Sequence, residues 1–241
     1  MIEDLAIDKT FWPILALDHG LTGYDNSVPI ADVPKLLRGC QGTIGSVVMT
    51  YGMARHLGNK ITEVPLIIQC FGAPHSFPKI KVCDVDQASN LGAKGIAIQV
   101  DFSLPEKYLT NQIYAISEIV RLAHEIKMPV LFMVAHKALR DFNDFAQIIR
   151  FCLEMGADLI KIRLDQADID RTNKFEDYRY LLRNAPPVLL AGGKISENIF
   201  SEVRTAKILG FSGFCIGRNI YQSDNPVKTS RLLYNAWHDD N

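Results

Sequence analysis

Cysteine is scarce in this chain and does not pair by spacing. Cys40, Cys70, Cys83, Cys152 and Cys215 form an odd, scattered set with no CxxC pair, which argues against a disulfide framework and a zinc site. Most of them lie inside apolar runs, where thiols serve as small core residues. Long apolar stretches are missing too. None approaches the roughly 18 to 20 residues needed to cross a bilayer, and the opening MIEDLAIDKTFW is acidic, without a signal-peptide core. The expectation is a cytoplasmic protein with no membrane partner. An excess of one charge is also absent: 26 Lys and Arg stand against 27 Asp and Glu, a net charge of -1. That balance gives nucleic acid or an anionic surface no electrostatic footing and leaves small neutral or anionic metabolites open. Neither a linker nor a low-complexity segment divides the 241 residues, so one domain is expected over 1–241.

What the chain does have is a regular alternation. Short apolar or β-branched runs fall at 13–18, 43–49, 64–71, 94–100, 129–135, 158–163, 187–192 and 213–217, and amphipathic segments lie between them, clearest at 107–127, 141–155 and 197–209. The stripe Ile113, Ile116, Val120 and Ala123 reads as the packing face of the first of these. The runs are too continuously apolar for a sheet wetted on one side, as parallel strands covered on both faces are. LGA (91–93), MGA (155–157) and LGF (209–211) repeat one punctuation, a glycine able to stop a helix in the left-handed conformation and return the chain to the sheet. Eight such units predict an α/β fold, a (β/α)8 TIM barrel in a single domain. The unit after the second strand is the shortest.

Within that architecture GADLIKIRL (156–164) places a lysine in a buried strand. Ile160 and Ile162 suit the helix layer, so alternation turns Leu159, Lys161 and Arg163 inward, with Lys161 near the C-terminal mouth where barrel enzymes place their chemistry. A desolvated, neutral lysine can attack a ketone and form an iminium, an electron sink for the adjacent C–C bond; a lysine that snorkels to the rim or pairs with a carboxylate does neither. Asp18, followed by His19 and Gly20 at the end of the first strand, would bring a carboxylate to the same mouth, although an Asp there also serves as a turn or cap residue. Gly192 and Gly193 follow the seventh strand, with Ser196 as an N-cap candidate, and Gly217 and Arg218 follow the eighth. These are the loops in which such barrels hold phosphate, and His19 and Arg163 join them as candidate substrate contacts.

ALDHG (16–20), GADLIKI (156–162), LAGG (190–193) and GRNIYQSDNP (217–226) resemble, in order and spacing, the motifs of the archaeal-type class I fructose-bisphosphate aldolase family. These are the DhnA-like aldolases, which include 2-amino-3,7-dideoxy-D-threo-hept-6-ulosonate synthases. The resemblance implies a Schiff-base lysine at Lys161, an acid/base carboxylate at Asp18 and a phosphate cradle at Gly192, Gly193, Gly217 and Arg218. It also implies a phosphorylated small-molecule substrate, no metal or other cofactor, and a homo-oligomer. The pattern departs at the fifth strand, where the family's W-x-YPRG stretch supplies an acid/base tyrosine. This chain reads Met133-Val134-Ala135-His136-Lys137, with Ala135 at the tyrosine's place. His136 is the candidate replacement from the loop, and Tyr51 and His75 are other groups expected on the active face. The expected function is a class I aldolase or transaldolase-like enzyme divergent from fructose-1,6-bisphosphate cleavage. Two other readings stay open: a phosphate-dependent barrel enzyme without imine chemistry, such as an isomerase or thiolase-like acyl transferase, and a non-catalytic phosphosugar-binding barrel. Gln69 and Gln99, polar positions in strands three and four, would either bind a hydroxylated substrate or satisfy one another.

Overall fold

A computed structural model of the chain describes residues 2–22, 28–61, 64–74, 77–135, 141–163 and 175–239. Eight parallel strands close into a barrel: β1 (Trp12–Ala16), β2 (Ser46–Thr50), β3 (Leu66–Gly72), β5 (Gly95–Asp101), β6 (Val130–Ala135), β7 (Leu159–Ile162), β8 (Val188–Ala191) and β9 (Gly213–Ile216). Closure comes from β1, which pairs with both β2 and β9, and from β2, which pairs with β3. Each of the eight runs read from the sequence overlaps one of these strands, with no end of a strand more than one residue outside its run.

The helices are α1 (His19–Thr22), α2 (Val33–Gly39), α3 (Tyr51–Leu57), α4 (Val85–Asn90), α5 (Glu106–Glu125), α6 (Phe142–Glu154), α7 (Phe175–Arg183), α8 (Ile199–Leu209), α9 (Arg218–Tyr221) and α10 (Pro226–His238). The short unit after the second strand is α3 and a 3-10 turn, Gly58–Ile61. Gly92, Gly156 and Gly210 have φ of +82°, +86° and +98°, the left-handed conformation expected of the three punctuation glycines. The stripe on α5 is narrower than expected, because Ile116, Val120 and Ala123 are buried while Ile113 is 38% exposed. None of the described helices is long and apolar enough to cross a membrane.

Alternation along the strands sorts the apolar residues into two layers. Ile14, Ala16, Val48, Ile67, Ala97 and Leu159 pack inside the barrel, whereas Leu15, Val47, Ile68, Ile96, Ile160 and Ile162 pack against the helices. The inner cluster includes Leu5 of the opening 3-10 turn (Ile2–Leu5), which packs with Trp12 at the N-terminal end of the strands. All five cysteines are buried and unbridged. One strand was not expected: β4 (Ile80–Lys81) pairs antiparallel with the end of β3, Phe71 opposite Lys81 and Gly72 opposite Ile80. A two-residue strand leaves no periodic trace in a sequence.

Candidate active site

Lys161 stands on the inner face of β7, between Met133 of β6 and Leu189 of β8. It is half-buried and lines a cavity of about 140 Å³ at the C-terminal mouth, together with Asp18, His19, Gln99, Ala135, Gly192, Gly193, Cys215, Gly217 and Arg218. The fold therefore brings seven of the sequence candidates into one space. Lys161 and Cys215 are neighbours in this cavity. Burial pushes the Cys215 thiol above its ordinary value; the positive charge of Lys161 opposes that shift, and the Asp18 carboxylate adds to it. The lysine is thus flanked by a neutral thiol and shares its cavity with a carboxylate.

Asp18 is 3% exposed and follows β1, and its backbone carbonyl accepts a hydrogen bond from Leu21 N as the chain turns into α1. His19 Nδ1 lies 3.9 Å from the Asp18 carboxylate, and the imidazole meets the Tyr221 ring edge-on at 5.7 Å. Gly217 passes so close to this corner that a Cβ on it would strike the Ala16 carbonyl and the His19 ring.

Arg163 departs from its expected role. Its guanidinium faces the back of the loop after β8, donating to the carbonyls of Ala191 and Gly192 at 3.1 Å and to both carboxylate oxygens of Glu202 at 2.7 and 3.1 Å. The planar fork of arginine matches a carboxylate in two places, and the carboxylate of α8 takes it out of the cavity. Gly193, with φ +63°, leaves room for this: a Cβ there would touch the guanidinium at 3.4 Å. Ser196 also departs from expectation, because α8 begins at Ile199 with Asn198 as its N-cap. The Ser196 hydroxyl instead donates to Glu202 and accepts from Asn198 N.

Asn219, not singled out from the sequence, ties the two glycine loops together. Its Nδ2 donates to the carbonyls of Gly192 and Lys194 at 3.0 and 3.1 Å, and its Oδ1 accepts from Ser196 N at 2.8 Å. The signal was available, since Asn219 is a polar residue inside GRNI, next to a strand with no exposed position. Replacing Asn219 with alanine removes the partner of the part-buried Ser196 N and of the Lys194 carbonyl, and leaves the Gly192 carbonyl with Arg163 alone. That substitution is expected to cost about 1–3 kcal/mol of stability, read as a lower urea midpoint.

Tyr51 begins α3 and lines a separate cavity with Leu17, Gly20, Leu21, Thr50, Gly52, Met53 and Val82. His136 and His75 lie outside the described residues.

The sequence profile of the DeoC/LacD family aldolases matches residues 13–223, all eight barrel strands but the first residue of β1. The chain belongs to this family. Among its relatives, 2-amino-3,7-dideoxy-D-threo-hept-6-ulosonate synthase 1 of Archaeoglobus fulgidus is 27% identical over 233 residues, 93% of this chain and 85% of the relative. The 3-hydroxy-5-phosphonooxypentane-2,4-dione thiolase of Escherichia coli K12 is 26% identical over 243 residues, 93% of this chain and 76% of the relative. The fold is that of an archaeal fructose 1,6-bisphosphate aldolase, with a TM-score of 0.81, 22% identity, and 98% and 97% of the two chains covered. A second archaeal aldolase structure, solved with its catalytic lysine covalently bound to a carbinolamine intermediate, superposes with a TM-score of 0.81 at 22% identity over 99% of this chain. This DeoC/LacD-family chain is therefore an aldolase-type barrel, with Lys161 at the mouth and the Arg163–Glu202 pair and Asn219 bracing the loops around it.

Proposed function

We propose that the chain is a Schiff-base aldolase or transaldolase-like enzyme that makes or breaks a C–C bond in a phosphorylated ketose. The observation that carries this reading is the inward Lys161, in one cavity with Asp18 and against a thiol that burial keeps protonated. In the breaking direction the neutral Nζ adds to the ketone carbonyl, and the carbinolamine loses water to give an iminium. The electron pair of the neighbouring C–C bond then moves into the iminium, leaving an enamine and releasing an aldehyde. Asp18 takes the hydroxyl proton of the departing carbon and returns a proton to the enamine, after which water releases the ketone and frees Lys161. Cys215 brings no second negative charge to the nitrogen, so Asp18 is the one carboxylate among the candidates to which proton transfer falls.

Gly192, Gly193, Gly217 and Arg218 are assigned the phosphate. They line one cavity, and the substrate in the name of the bacterial relative carries a phosphate ester. Replacing Arg218 with alanine is expected to weaken phosphorylated ligands by about 1.5–3 kcal/mol, the scale of a charged hydrogen bond, and to leave unphosphorylated analogues nearly unchanged. Isothermal titration with matched pairs measures this, and equal weakening of both removes the assignment.

Acyl transfer is the second reading, favoured by the name of the thiolase relative. Borohydride separates the two, because an iminium is reduced to a stable amine. The proposed function expects irreversible inactivation by borohydride with dihydroxyacetone phosphate present and none without it; full protection of activity in both cases selects the second reading.

A further inference from the structure

We infer that Cys70 and Cys83 are a dithiol site, two buried cysteines that a small disulfide oxidises to a reversible bridge tying the end of β3 to the start of α4. The inference is independent of the Schiff-base reading. Cys70 lies in β3, and Cys83 follows β4 immediately before Asp84, the N-cap of α4. The antiparallel register sets Phe71 opposite Lys81 and Gly72 opposite Ile80, so the next residues to meet are Cys70 and Val82. The Cys70 carbonyl accepts from Val82 N at 2.8 Å and from Cys83 N at 3.3 Å. A backbone hydrogen bond across an antiparallel pair holds the two Cα atoms about 5.5 Å apart, and a disulfide spans roughly 4.4–6.8 Å. Both side chains join the apolar layer between strands and helices, so a bridge needs neither strand turned over.

The two thiols are unlike. The neighbouring Cys83 pushes the Cys70 thiol above its ordinary value, and burial adds to that. Cys70 in turn holds the Cys83 thiol below its ordinary value; burial and the Asp84 carboxylate oppose this without reversing it. Thiolates, not thiols, attack disulfides, so Cys83 is the attacking sulfur and Cys70 the resolving one. The other three cysteines have no thiol beside them to act in this way. Cys40 has Ser230, Cys215 has Lys161, and the Cys152 thiol is raised by burial alone.

Access comes through the shortest strand of the sheet. Cys83 is 3% exposed, but Ile80 and Lys81 before it and Asp84 after it are all exposed. A two-residue edge strand held by few hydrogen bonds opens locally while the barrel stays closed. In the open form the Cys83 thiolate attacks one sulfur of the small disulfide, whose S–S bond breaks, and one small thiolate leaves and takes up a proton. Cys70 then gives its proton to solvent and attacks the Cys83 sulfur, expelling the second small thiol. The two protein thiols have lost two electrons and two protons, and one small disulfide has become two small thiols. The bridge closes the loop that carries Ala73, whose N–H holds Gln99 at the cavity, and Lys79, which pairs with Asp101 at 3.3 Å. It borders the candidate active site without entering it.

The test incubates the native, reduced protein with glutathione disulfide, quenches it with acid, alkylates the remaining thiols after unfolding and maps the peptides. Cys70 and Cys83 are expected in one cross-linked pair, lighter by two hydrogens than the reduced peptides, with Cys40, Cys152 and Cys215 alkylated; dithiothreitol is expected to restore all five thiols. Cys70→Ser is expected to retain one glutathione on Cys83, because the resolving sulfur is gone, and Cys83→Ser to leave Cys70 unmodified. Hydrogen exchange of the amides at 80–83 is expected to slow by about tenfold or more in the oxidised protein, since the bridge opposes the local opening. Five alkylated cysteines, a bridge that includes any other cysteine, or unchanged exchange at 80–83 overturns the inference. Glutathione on Cys70 of the Cys83→Ser variant overturns the order of attack.

Discussion

Replacing Lys161 with arginine will abolish C–C bond turnover while leaving the barrel folded. The guanidinium stays protonated at any pH the protein survives, so it has no lone pair with which to add to a ketone, although its length and charge suit the same half-buried position between Met133 and Leu189. Loss of an activated nucleophile removes the whole covalent route, a fall of about 10⁴-fold or more in turnover. A Lys161→Met variant keeps the apolar length without the charge and separates the two properties. If the lysine served only as a charge for binding, arginine would retain most of the activity and methionine would lose it. Both variants losing activity, with unfolding transitions near that of the parent, is the expected pattern.

Fructose-1,6-bisphosphate cleavage by the unmodified protein will be slow, by about 10²- to 10⁴-fold relative to an aldolase with a full set of acid/base groups. The reason lies at the end of β6. Leu131, Met133 and Ala135 alternate onto the inner face, and Ala135 reaches the cavity with a methyl group where the resemblance places a tyrosine. No hydroxyl stands at that point to hand a proton to the departing oxygen. Because Ala135 borders open space shared with Lys161, Ala135→Tyr is expected to raise the cleavage rate without changing the amount of imine trapped. Rapid cleavage by the unmodified protein would show that Asp18 carries the proton transfer alone, and a variant that traps less imine would show that the cavity has no room for the ring.

The barrel was legible because its parts obey local rules. Two isoleucines flanking Lys161 set the parity of β7, and the same parity fixes which residues of every other strand face inward. The three left-handed glycines marked helix ends without reference to anything distant. The residues that escaped are those whose meaning depends on a partner far along the chain. Arg163 looked like a ligand for substrate because its strand faces the mouth, yet Glu202, 39 positions away, holds it behind the loop. Cys215 read as a small core residue, and only closure of the barrel brings its sulfur to Lys161. Gln69 and Gln99 were open to mutual pairing until the register set Gln69 beside Ala97, two residues short of Gln99, and Ala73 N was found to donate to Gln99 Oε1. Parity predicted direction well, but hydrogen-bond ownership needed coordinates.

Peptide mapping by mass spectrometry tests the central claim most directly, after incubation of the unmodified protein with dihydroxyacetone phosphate and borohydride. The account predicts one modified peptide, containing GADLIKIR, with the mass of the reduced ketone on Lys161 and on no other lysine. An adduct confined to another lysine, such as Lys79 or Lys194, or an unmodified Lys161 under conditions that inactivate the protein, would contradict it.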